Sequence, residues 1–161
     1  MVSTLEHQLI IGNYTEAKKL ILDGEYISPR ALNSVTVFPG RRSYEMLEFM
    51  IKHGANVNEK SDTGMNQLDF LLSRIESPTQ WTDRTINLLL DSGSTVSVDL
   101  LSRVIRNIYD RIDLGTLIRL ADLLPEVPGT IFQYIMRRSQ SKLSPGYSGR
   151  LSPYDTYIVH N

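Results

Sequence analysis

The residue with the most chemistry around it is Asp91, set between an apolar run and a small-residue turn in Leu88-Leu89-Leu90-Asp91-Ser92-Gly93-Ser94. An aspartate presented this way can activate water when a second carboxylate shares its proton, because two like charges in contact cannot both ionise. The other candidates offer less. His7, His53 and His160 lie far apart, without metal-ligand spacing. His53 directly precedes Gly54 at a helix end, which suits a capping or solvated histidine. Arg103 and Arg106, together with Arg111, offer an anion-binding face, or else a solvated helix side paired with Asp99, Asp110 or Asp113. The sequence contains no Gly-rich phosphate loop, nucleophile elbow or paired-carboxylate helix motif. We therefore expect no cofactor, no metal and no catalysis.

The elements that must position these residues recur. FMIKHGANVN (49–58) returns as LLLDSGSTVS (88–97) and more faintly as KLILDGEYIS (19–28), so Gly24, Gly54 and Gly93 each close a helix-like run. Apolar residues three and four apart mark the faces those helices bury. They are Leu5, Leu9 and Ile10; Tyr14, Ala17, Leu20 and Ile21; Met46, Leu47, Met50 and Ile51; Leu68, Leu71, Leu72 and Ile75. Ile86, Leu89 and Leu90 lead to Gly93, and Leu100, Leu101, Val104, Ile105 and Ile108 form a further stripe before Leu114, Leu117, Ile118, Ala121 and Leu124. Ser28-Pro29 joins a hydroxyl cap to a proline at the first helical position. GTIFQYIMRR (129–138) supplies a last helix with Ile131, Phe132 and Ile135 buried.

The stretch from Glu45 to Asn66 resembles the ankyrin repeat: an outer helix ending in Gly-Ala-Asn-Val-Asn (54–58), then Asp62, Gly64 and Asn66-Gln67-Leu68-Asp69 where that family has Thr-Pro-Leu-His. Asn66 follows Gly54 by 12 residues, the family's register for the finger between repeats. The resemblance implies an all-α, ankyrin-type helical-hairpin solenoid of about four degenerate repeats plus a C-terminal capping helix. The repeat domain spans 1–141, with units at about 1–25, 26–58, 59–97 and 98–125 and a cap at 129–141. Gln67 and Asp69 depart from the motif, and without its proline and histidine the unit is expected to be less well braced. Links within the second and third units read as about five or six residues longer than the family's. Partner contact falls by this resemblance on the finger residues Glu59, Lys60, Ser61, Asp62, Thr63 and Met65. Arg41 and Arg42, placed in an enlarged loop, join them. Trp81, placed in a polar insertion, either anchors a partner or covers the end of its own core.

The Asp91 segment is similar to the active-site signature of retroviral-type aspartic proteases, which would make the chain an obligate homodimer of strands. It nevertheless aligns in phase with 49–58 and follows a helical stripe, so the expectation is a surface aspartate at a helix end.

The 17 basic and 18 acidic side chains nearly cancel, which is not the footprint of a nucleic-acid binder. Cysteine is absent, and no long apolar run suggests a membrane span. We expect an intracellular protein, cytoplasmic or nuclear, monomeric or weakly homodimeric, with a protein partner. Residues 142–161 carry Ser144-Pro145, Ser152-Pro153 and the tyrosines Tyr147, Tyr154 and Tyr157. They read as a flexible tail, either a phosphorylatable linear motif or a terminus without a role. The functional expectation is an adaptor or inhibitor of the kind pathogens direct at host signalling. A self-associating structural protein is the remaining alternative.

Overall fold

The computed structural model describes residues 4–142, which are helices joined by turns, with no strand among the described residues. Lys142, given to the tail, is the last residue of the final helix; Tyr147, Tyr154, Tyr157 and the rest of 143–161 lie outside the described residues. In chain order the helices are α1 (Thr4–Ile10), α2 (Tyr14–Leu22), α3 (Pro29–Thr36), α4 (Arg41–Lys52), α5 (Gln67–Ser73), α6 (Gln80–Asp91), α7 (Val98–Ile108), α8 (Leu114–Ala121) and α9 (Gly129–Lys142).

Local chemistry sets the boundaries. Asn13, Ser28, Asn66, Thr79, Ser97 and Asp113 each turn a side-chain oxygen onto an otherwise unpaired N–H in the first turn of the helix that follows. At the other ends Gly24, Gly54 and Gly93 take φ of +95°, +97° and +84°. Their N–H groups close back on Ile21, Ile51 and Leu90. A residue with a Cβ is strained in that conformation even though the space beside each of these glycines is open.

Consecutive helices pair, α1 with α2, α3 with α4, α5 with α6 and α7 with α8, while α1, α3, α5 and α7 each pack on the next to form one row. Facing it, α4, α6 and α8 pack in a second row, and α9 closes against α8. A single apolar core follows from this arrangement, from Leu5 through Leu47, Leu68, Ile86 and Leu101 to Ile131 and Ile135. Each short helix buries one stripe, and only its neighbours can cover that stripe.

Several expectations are corrected here. The links inside the second and third pairs are 37–40 and 74–79, not greatly enlarged, because α4 already begins at Arg41 and α6 at Gln80. Arg41 and Arg42 therefore open α4, and Trp81 sits in the first turn of α6, held by the Thr79 cap. Ile10, placed on the apolar stripe of α1, is 61 % exposed, since Leu5 and Leu9 already fill the contact with α3. Phe132 is half-buried and packs on the core beside the fully enclosed Ile131 and Ile135.

The unit that holds Asn66-Gln67-Leu68-Asp69 is tied on both sides by side chains of that stretch. Gln67, fully buried, donates through Nε2 to Pro29 O (3.1 Å) and Asn33 Oδ1 (2.9 Å), while its Oε1 accepts from Thr36 Oγ1 (3.2 Å). On the opposite side Asp69 Oδ1 accepts the Ser97 N–H at 2.8 Å. Gln67 and Asp69 thus tie α5 to the preceding and the following pairs.

At α8, Asp113 caps Gly115 N (3.0 Å) and its own N–H donates to Asp83 Oδ1 (3.1 Å). Partial burial raises the Asp83 carboxyl above the ordinary carboxylate range. The Asp113 N–H and the Thr116 hydroxyl pull it back, and the Asp113 charge adds to the rise. A raised folded-state value means the fold holds this proton more tightly than the unfolded chain, so stability falls as pH climbs through that range. Asp83→Asn keeps an acceptor for the Asp113 N–H and removes the charge. It should melt higher than the parent at pH 7, with the gain vanishing once both are measured below the normal carboxylate range. A gain that persists at acid pH would contradict this assignment.

Among the described residues no helix is long and apolar enough to cross a membrane.

Candidate binding surface

The finger between α4 and α5 is a tight turn. Ser61 N–H donates to Met65 O (2.9 Å), Gly64 N–H donates to Ser61 O (2.9 Å), and Gly64 takes φ +79°. The Ser61 and Thr63 hydroxyls bond each other at 2.7 Å. Its base is anchored forward: Asn58 Nδ2 donates to Gly93 O (2.9 Å), Asn58 Oδ1 accepts from Thr95 N (2.8 Å), and Asn66 Nδ2 reaches Thr95 O (2.9 Å). Asn58→Ala removes the first two of these, leaving Gly93 O and the Thr95 N–H to water; at such an exposed site a loss of about 1 kcal/mol is expected in denaturant unfolding. Backward, the Glu59 carboxylate accepts the Tyr26 hydroxyl, and that hydrogen bond, more than burial, raises the phenol's pKa.

One side of the finger faces α3 and α5. Ser61, Asp62, Thr63 and Met65 line a cavity of about 400 Å³ whose other wall is Arg30, Asn33, Phe70 and Arg74. Arg30 and Asn33 also belong to the next hollow, which ends on Ile10, Val37 and Phe38. Phe38 in turn borders a third hollow with Arg74 and Glu76, and a fourth with Ile11, Arg41 and Arg42. The four share residues, so they form one grooved face along α1, α3 and α5. Ile10, Ile11 and Phe38 stand on it at 61 %, 58 % and 82 % exposure.

Placement of the remaining expected residues differs. Arg41 pairs with Glu45 (3.3 Å) at an exposed site, a contact of little energetic weight. Arg42 donates to Gly12 O (3.1 Å) and lies over the Tyr14 ring at 4.7 Å, so it braces the first pair against the second. Trp81, half-buried, meets Tyr44 with ring centroids 5.8 Å apart and carries Arg84 over its face at 4.8 Å. It joins α4 to α6 at a distance from the finger's cavity lining. Lys60 is exposed.

Asp91 is the last residue of α6, exposed, with its carboxylate 2.8 Å from Arg119 Nη2. The strand that would present it for proteolytic chemistry is a helix here. His53 caps α4, its Nδ1 2.9 Å from Phe49 O and its ring stacked on Phe49 at 4.1 Å. Among the described residues no three His, Asp or Glu side chains converge as metal ligands.

Comparison of the chain with protein-family models, with curated proteins and with solved structures yields no match.

Sequence reasoning missed Ile10, Ile11, Phe38, Arg30, Phe70 and Arg74. The available signals were an isoleucine pair at a helix end, where the period can bury only one face, and a phenylalanine in Val37-Phe38-Pro39-Gly40, outside any stripe.

Proposed function

We propose that the chain is a non-catalytic, ankyrin-type protein-binding module that occupies a partner's surface as an adaptor or inhibitor. One observation supports this above the others: a face running from the finger to α1 leaves a phenylalanine and two isoleucines in water beside hollows that share lining residues. Exposed apolar groups gathered on one face mark interaction sites, whereas singly scattered ones do not. The ankyrin reading draws on the row of helix pairs, on the glycine-closed outer helices and on the finger register of Asn66. A rigid face binds without a large ordering cost. By the same resemblance the partner belongs to host signalling and the chain is intracellular; Asp91, ion-paired with Arg119, takes no part in binding.

The test is affinity capture on the full chain from cells of its natural setting, followed by cross-linking. Cross-links are expected at the finger and the α1–α3 edge. Met65→Ala combined with Phe38→Ser should lose capture roughly tenfold or more, the scale of a central apolar anchor. Asp91→Asn should leave capture unchanged. Cross-links confined to α6, α8 and α9 would overturn the reading.

A further inference from the structure

The grooved face carries its own statement about its partner. Its apolar end is Ile10, Val37 and Phe38; its polar end is the cavity between Arg30 and Arg74. Arg30 is exposed and, among the described residues, its guanidinium has neither an ion pair nor a hydrogen bond. Arg74 lies over the Phe70 ring, its Cζ 4.5 Å from the centroid, and no carboxylate pairs with it. The acidic groups on this face do not neutralise them. Glu6 is buried and accepts the Ser28 hydroxyl at 2.7 Å; Asp62 lines the finger wall of the same cavity and Glu76 the neighbouring hollow, and neither forms an ion pair with Arg30 or Arg74.

We infer that the occupant of this face is a segment of a partner protein that places an acidic side chain between Arg30 and Arg74 and large apolar side chains against Ile10, Val37 and Phe38. The inference rests on the protein-binding reading above and adds the partner's chemistry. A carboxylate answers two planar guanidiniums with paired N–H···O bonds. Apolar anchors answer the exposed phenylalanine, which a polyanion would leave in water. The chain's formal net charge of −1 also gives a nucleic acid or an acidic membrane no long-range attraction. Three neighbouring helices at spacings of roughly 9 Å make a path of roughly 20 Å. About six extended residues or four helical turns cover it.

A displayed library of random 16-residue peptides, selected on the full chain, tests this directly. Recovered peptides should combine Asp or Glu with two or more large apolar residues. Their affinity should fall about tenfold or more with Arg30→Glu/Arg74→Glu, and comparably with Phe38→Ser, the scale of a lost charge pair or anchor. Both changes lie on exposed side chains, and an unchanged circular dichroism spectrum confirms the fold. Replacing the peptide's acids with lysine should restore binding to the double charge-reversed variant, which a merely structural role for the arginines would not do. Basic or uncharged selected peptides would overturn the inference, as would acidic ones indifferent to these substitutions, while the protein-binding reading stands on its own cross-links. Arginine-dependent binding of oligothymidylate or phosphatidylserine vesicles as tight as that of the peptides would overturn it too.

Discussion

Gln67→Ala is expected to lower the unfolding free energy by about 3 kcal/mol, one of the largest losses any polar residue here can cause. Gln67 is fully enclosed, and its amide uses both ends: Nε2 donates to Pro29 O and Asn33 Oδ1, and Oε1 accepts from Thr36. Truncation leaves a void between α3 and α5 and strips a partner from the buried Pro29 carbonyl, the half-buried Asn33 side chain and the Thr36 hydroxyl. Gln67→Met separates the two contributions, since it keeps the volume and removes only the hydrogen bonds. Roughly half the loss is expected to remain. Denaturant unfolding with an unchanged m-value would measure both. If Gln67→Met equals the parent in stability, the amide contributes no net bracing, and the contact between α3 and α5 is held by its leucines alone.

That prediction marks where sequence stops informing structure. The helices were legible because their signals are local: Ser28-Pro29 begins α3, Asn66 caps α5, and Gly24, Gly54 and Gly93 close α2, α4 and α6. The apolar stripes were legible because a period of three and four can bury only one face. The starts of α4 and α6 were misread, since Gly40 offers no side-chain cap and polar residues open both helices. No pattern within Asn66-Gln67-Leu68-Asp69 says that its amide and carboxylate reach Asn33 and Ser97; those partners lie 34 and 28 residues away. The turn of the finger was legible from Asp62, Gly64 and the register of Asn66. The arginines and aromatics opposite it were not, because a groove is a relation between α1, α3 and α5 and belongs to none of them singly.

The second large effect compares two leucines with identical chemistry. Leu5 in α1 and Leu68 in α5 are both fully buried, and replacing either with alanine should cost about 3–4 kcal/mol locally. Their surroundings differ. α1 packs chiefly on α2 and α3, at the end of its row, whereas α5 packs on α3, α6 and α7. In a chain whose elements contact only near neighbours, a loss at the end is confined and a loss in the middle is shared. Trp81, the only tryptophan, reports from the junction of α4 with α6, in the pair that holds Leu68 and outside the pair that holds Leu5. In Leu68→Ala, helix content and Trp81 emission should change together at lower denaturant than in the parent. In Leu5→Ala, part of the helical signal should be lost first, with early hydrogen exchange in α1 and α2, while the Trp81 transition stays near that of the parent. Coincident and equally shifted transitions in both variants would mean that the end pair is not separable, and that the stack unfolds as one cooperative unit along its whole length.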